Sequence, residues 1–239
     1  MSKERLDKTI SSQSMMTRSE ATKLIRSGAV TVNGNVIKNT AEKVDTDNDR
    51  ITVNGTPLNY KKHIYIMMNK PDGIVSASRD PKEKTVIDIL PDELRRPNLF
   101  PAGRLDKDTT GFVLITDDGD FAHNILSPRH HIDKTYIATT DIKIDEQYLQ
   151  SMRNGMILGD EQLLEAEIDL ISEEDSPVYK IILREGKYHQ IKRMIGATNA
   201  VLTSLKRIKM GQLDLDTDLL PGESREITAE EMDLITKKS

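Results

Sequence analysis

Apolar residues in this chain come in short, sharply bounded groups, and the spacing inside each group predicts its element. Ala21, Leu24 and Ile25 fall on one face of a helix, with Arg18, Lys23 and Arg26 outside that face. Thr17 supplies an N-cap, Glu20 three residues on completes a capping box, and Gly28 stands where a helix ends in a left-handed residue. A shorter helix is predicted to begin at Leu6. Val30-Thr31-Val32 and Asn35-Val36-Ile37 flank Asn33-Gly34, a pair favoured in type I′ hairpin turns, and Ile51-Thr52-Val53-Asn54-Gly55 predicts a second hairpin. Two small helices and two hairpins bury little, so a module of about 60 residues is marginal alone.

After the polar segment Tyr60-Lys61-Lys62-His63 the pattern changes. Strands are predicted at 64–69, 112–116, 134–140, 163–171, 178–184 and 200–210, and helices at 85–90, 119–127, 145–153, 187–196 and 228–236. They do not alternate regularly, which favours an α+β domain around a largely antiparallel mixed sheet. The expected domains are residues 1–60 and 61–239.

Two modules also suit a length of 239 residues. Cysteine is absent, so disulfides and thiolate metal sites are excluded. No apolar run approaches the roughly 18 residues of a membrane span, and Met1-Ser2-Lys3-Glu4-Arg5 leads into no signal-like core, so a cytoplasmic protein without membrane partners is expected. The net charge of −5 is unevenly spread. Residues 1–62 carry +4 and 184–209 carry +6, whereas 141–176 carry −9 and 212–239 carry −5. Cations gathered in two blocks suit a face that meets phosphates, against the alternative of an ordinary mixed surface.

Gly103-Arg104-Leu105-Asp106, running on to Thr109-Thr110-Gly111 and the apolar Phe112-Val113-Leu114-Ile115, sets a carboxylate on a loop just ahead of a core strand. The plain alternative is a surface ion pair between Arg104 and Asp106. Three other segments carry functional residue types. Asn69-Lys70-Pro71-Asp72-Gly73 offers a lysine at a turn, and Ser127-Pro128-Arg129-His130-His131-Ile132-Asp133-Lys134-Thr135-Tyr136 offers histidines, cations and a ring. Arg184-Glu185-Gly186-Lys187-Tyr188-His189-Gln190-Ile191-Lys192-Arg193-Met194 is a basic strand-to-helix turn. By default Tyr136 is core and Lys192-Arg193 a solvated face. Adjacent His130 and His131 lack a third zinc ligand. Asp45-Thr46-Asp47-Asn48-Asp49 has Arg50 where a calcium loop needs glycine and Thr56 where it needs glutamate. No Walker loop, dinucleotide fingerprint, zinc-protease or nucleophile-elbow motif is present. A phosphotransferase using Asp117-Asp118 is thereby disfavoured.

The first module resembles the S4 RNA-binding domain over roughly residues 3–60, which implies Arg18, Lys23 and Arg26 as phosphate contacts; the alternative is the solvated face of an amphipathic helix. The remaining motifs, in this order, resemble pseudouridine synthases of the RsuA type: the Arg104-Leu105-Asp106 loop, the Lys134-Thr135-Tyr136 strand and the Gly186-to-Met194 basic turn. The resemblance implies Asp106, Tyr136 and Lys192 as catalytic. It implies Arg104, Lys70, Arg129, His130, His131, Lys134, Lys187, His189 and Arg193 as RNA-binding, with no cofactor and no metal. Relatives often carry Arg at the Lys192 position, which alters the pair's geometry but not its sign. Tyr188-His189 and Ser127-Pro128-Arg129-His130-His131 resemble the small-subunit branch, implying 16S ribosomal RNA or a 30S assembly intermediate as partner, the position-516 type of product, and a monomeric enzyme. The alternatives are a related synthase acting on 23S RNA and a non-catalytic ribosome-assembly factor.

Overall fold

The computed structural model describes residues 3–127 and 132–237. The chain divides into two compact units: Met1–Ile64 with Pro91–Leu99, and Tyr65–Leu90 with Phe100–Ser239. A single cut after residue 60 therefore misses one excursion. Its physical reason is Arg96, a buried guanidinium whose Nη1 donates to the Lys61 carbonyl (2.9 Å) and whose Nη2 donates to that of Lys62 (3.2 Å).

The first unit contains β1 (Lys3–Arg5), α1 (Leu6–Ser11), α2 (Arg18–Ser27), β2 (Val30–Val32), β3 (Asn35–Val36), β4 (Lys43–Asp45), β5 (Ile51–Val53) and β6 (Thr56–Pro57). The capping box at Thr17 and Glu20 forms, and Gly28 closes α2 at φ 83°. Asn33-Gly34 and Asn54-Gly55 both turn with positive φ, as type I′ hairpins require. The four hairpin strands form one sheet in the order β3-β2-β5-β6, and Leu6, Ile10, Ala21, Ile25, Val30 and Ile51 make the core.

Asp7 was not legible as a structural residue. It is buried and accepts from Arg5 Nε (3.1 Å), Arg5 Nη2 (2.8 Å) and Arg18 Nη2 (3.2 Å). The Arg5 hydrogen bonds outweigh burial and, with Arg18, hold its carboxyl down at about 2. A carboxylate with a depressed folded pKa adds stability above its ordinary value of 3.8 and loses it as pH falls through about 2. Asp7→Asn is expected to destabilise the first unit by about 1–2 kcal/mol at pH 7. The difference from wild type should shrink towards pH 2, read by amide hydrogen exchange of the α1 and α2 residues.

The second unit is built on β7 (Tyr65–Lys70), β8 (Phe100–Ala102), β9 (Thr110–Thr116), α3 (Gly119–Leu126), β10 (Lys134–Thr140), α4 (Glu146–Arg153), β11 (Ile157–Leu158), β12 (Glu161–Gln162), β13 (Glu167–Ser172), β14 (Val178–Leu183), α5 (Gln190–Gly196), β15 (Leu202–Met210), β16 (Leu213–Asp214), β17 (Ser224–Glu226) and α6 (Ala229–Thr236). Its main sheet runs β13-β14-β10-β15-β9-β7-β17, with β16 on β15 and β8 on β9. The β9–β15 pair is parallel and the other pairs are antiparallel. Phe112 to Thr116 are buried throughout, because β9 is a central strand covered on both faces. The parallel contact needs glycine at 111: its φ is +96°, and a Cβ there would lie 2.2 Å from the Arg207 carbonyl oxygen.

Three predicted elements change, the strand expected from 163 beginning only at Glu167. Residues 85–90 make turns rather than a helix. Thr85 and Asp88 exchange reciprocal bonds, Thr85 N to Asp88 Oδ2 at 2.9 Å and Asp88 N to Thr85 Oγ1 at 3.2 Å, but Pro91 leaves no length to extend them. The helix expected from 187 starts at Gln190, because His189 sits at φ 47° in the left-handed region. The two- and three-residue strands β8, β16 and β17 were not predicted, being too short to show a period.

Candidate active site

Asp106 is presented by a loop strapped from below. Lys70 is fully buried at the end of β7, and its ammonium donates to the carbonyls of Pro71 (3.0 Å), Lys107 (2.9 Å) and Thr109 (2.8 Å). Gly73 N donates to Lys107 O at 3.0 Å, and Leu105 N to the Ser76 hydroxyl at 3.1 Å. Leu105 is itself buried, so the loop is pinned on both sides of Asp106. Burial pushes Lys70 down to about 8, and Asp72, Asp108 and Asp106 only partly oppose it. The expected RNA-binding role of Lys70 is thus corrected: it is a clamp for this loop with no surface to offer.

Above the loop lies a cavity of about 80 Å³ whose lining includes Arg104, Asp106, Tyr136, Lys187, His189 and Lys192. Asp106 Oδ2 lies 3.2 Å from Lys192 Nζ, and Oδ1 lies 3.3 Å from His189 Nε2. Arg104 is exposed and forms no ion pair with Asp106, so the plain surface-pair alternative does not hold. Lys192 also bonds Asp108, a carboxylate that no motif in the sequence marks out. Burial lowers the Lys192 ammonium, but its bonds to Asp108 and Asp106 outweigh that and raise it, while Lys192 holds Asp108 below the carboxylate range. The cation is therefore retained and shared between two carboxylates.

Tyr136 stands in the middle of β10, opposite Ile181 of β14 and Arg207 of β15, and is 8% exposed at the cavity. It is both core and lining. The turn before α5 is held by a buried pair, Gln190 Nε2 to Glu185 Oε1 at 2.8 Å, with Gln190 Oε1 accepting from Lys187 N at 3.1 Å. Neither Gln190 nor Glu185 was singled out as a positioning residue, since side chains that bond across a turn leave no periodic signal.

The remaining expected residues divide. Lys134 is buried, donates to Ile132 O at 2.9 Å, and is pushed down to about 8 by burial and then by Arg207; its expected RNA contact is corrected to a structural one. Arg193 and Lys187 both pair with Glu161, at 2.7 and 3.0 Å. Arg129, His130 and His131 lie outside the described residues. Arg18, Lys23 and Arg26 are exposed on α2 of the first unit, Arg18 being tied to Asp7. Asp118 caps α3 through Phe121 N (3.0 Å) and accepts the Tyr65 hydroxyl (2.6 Å), so it serves the fold. Among the described residues no group of three or more His, Asp or Glu side chains could hold a metal ion, and no helix is long and apolar enough to cross a membrane.

A carboxylate beside a cation in a cavity that a tyrosine also lines, in a chain whose first unit resembles the S4 domain, defines a class. Residues 64–197 match the RNA pseudouridylate synthase model and residues 4–51 the S4 domain; the chain belongs to the RNA pseudouridylate synthase family. Among its relatives, an uncharacterized RNA pseudouridine synthase of Bacillus subtilis (strain 168) is 40% identical over 98% of this chain and 98% of its own. The ribosomal small subunit pseudouridine synthase A of Escherichia coli (strain K12) is 40% identical over 95% of this chain and 98% of its own. A crystal structure of a pseudouridylate synthase superposes with a TM-score of 0.66 at 36% identity, covering 97% of this chain and 99% of that one.

Proposed function

We propose that this protein isomerises one specific uridine of small-subunit (16S) ribosomal RNA to pseudouridine, with Asp106 as the catalytic carboxylate. The observation that carries the reading is the grip on Asp106, between Lys192 Nζ at 3.2 Å and His189 Nε2 at 3.3 Å, on a loop clamped by Lys70. The substrate assignment rests on the small-subunit synthases that share 40% identity with nearly the whole chain.

The reaction breaks the bond between the ribose C1′ and uracil N1 and forms one from C1′ to C5. N1 gains a proton as C5 loses one, so nothing is added or removed overall. A uridine in folded RNA must first leave the stack, at a cost of a few kcal/mol. Tyr136 stacks on the flipped ring, Arg104 reaches into the space left behind, and Asp106 acts on the sugar or the base. Either role needs the carboxylate ionised after RNA has excluded water. At the Lys192 distance the attraction is roughly 5 kcal/mol at an effective dielectric of 20, before desolvation. Lys23 and Arg26, on the S4 module, meet phosphates. The enzyme works as a monomer in the cytoplasm, on 16S RNA or a 30S assembly intermediate.

Pseudouridine mapping of ribosomal RNA from cells with and without this protein tests activity and target together. One small-subunit site is expected to disappear in the deletion strain. Loss of a large-subunit site instead would replace the substrate, and an unchanged map would remove the enzymatic reading.

A further inference from the structure

Tyr188 has no task in the site described so far. It is 77% exposed and lies outside the cavity lining, yet its ring stacks on His189 with centroids 3.8 Å apart and planes 16° from parallel. His189 in turn holds a left-handed backbone, φ 47°, which non-glycine residues seldom adopt. That conformation sets its imidazole against Asp106, with Nε2 at 3.3 Å from Oδ1. One face of Tyr188 is thus covered by the imidazole and the other is open to solvent, at the rim of a cavity that also presents the exposed Arg104. An aromatic ring so exposed contributes little to the core. Every nucleobase offers a flat π face that such a ring can stack, without regard to sequence.

We infer that the open face of Tyr188 stacks the base of a nucleotide next to the target uridine, and that this contact, passed through the His189 ring, fixes the Asp106 carboxylate for reaction. The inference rests on the pseudouridine synthase reading. Tyr188 is a positioning residue: it limits rotation of the imidazole, and the imidazole orients Oδ1. Docking of the flanking base and readiness of the carboxylate are then one event.

The test uses the full-length protein and a hairpin RNA spanning the mapped uridine, with an abasic site replacing each neighbouring nucleotide in turn. Tyr188→Ala is expected to raise KM about tenfold and also to lower kcat, and Tyr188→Phe, which keeps the ring, to restore both. One abasic site should reproduce this loss in wild type and add nothing in Tyr188→Ala, the non-additivity of groups that touch. Equal abasic losses in both proteins overturn the inference, as does an unchanged kcat in Tyr188→Ala. Failure of the underlying reading looks different: wild type would then convert no uridine in the unmodified hairpin or in whole ribosomal RNA, and the inference would fall with it.

Discussion

Asp106→Asn is expected to abolish pseudouridine formation, by on the order of 10³-fold or more, while RNA affinity stays equal or rises slightly. Asn keeps the shape and can still meet Lys192 and His189, but it supplies neither a nucleophilic oxygen nor a base. Among the described residues Asp106 is the one carboxylate in the cavity lining, so no neighbour there can take over. Asp108 shares the Lys192 ammonium but is largely exposed and lies outside that lining, so it is a poor substitute. Losing one negative charge near incoming phosphates removes a repulsion, hence the direction for binding. Single-turnover conversion of 16S RNA together with a filter-binding titration separates the two effects. Conversion within tenfold of wild type would sink the proposed mechanism.

Lys70→Met is expected to be the most damaging change away from the cavity. Methionine fills the space of the buried stem but donates nothing to the carbonyls of Pro71, Lys107 and Thr109. Leaving the buried Thr109 carbonyl unsatisfied costs about 1–3 kcal/mol, the part-buried Pro71 and Lys107 carbonyls add less, and relief from burying a charge returns part of this, leaving a net loss of about 1–3 kcal/mol at neutral pH. Activity should fall further, by on the order of 10²-fold, because a loop free to shift by about 1 Å misplaces the carboxylate. The pH dependence gives a signature. Lys70 has its folded pKa lowered to about 8 from 10.5, so between those values the unfolded chain holds more protons and wild-type stability gains with rising pH. The Met variant lacks that gain, so the gap in urea unfolding between the two proteins should widen above pH 8. A gap that narrows there would contradict a folded Lys70 held below its ordinary pKa.

Much of the fold was determined by the sequence itself, wherever structure is decided locally. The Thr17–Glu20 capping box, the two Asn-Gly hairpins and the buried run from Phe112 depend on neighbours a few residues away, and these form as their residue types require. The order of the motifs around Asp106, Tyr136 and Lys192 was equally legible, because turn residues and a basic strand-to-helix turn declare themselves in linear sequence. What the tertiary structure alone decided is which charged groups lose water, and to whom they are bound. Lys70 and Lys134 read as available cations, but a lysine's type says nothing about whether a sheet will close over it. Glu161 binds Arg193 across 32 positions, and Arg96 draws Pro91–Leu99 into the first unit through a contact that crosses 35. The same long-range packing brings His189 to Asp106 across 83 positions of chain and sets Tyr188 behind it. Desolvation and pairing are properties of the assembled surface, and no local pattern encodes them.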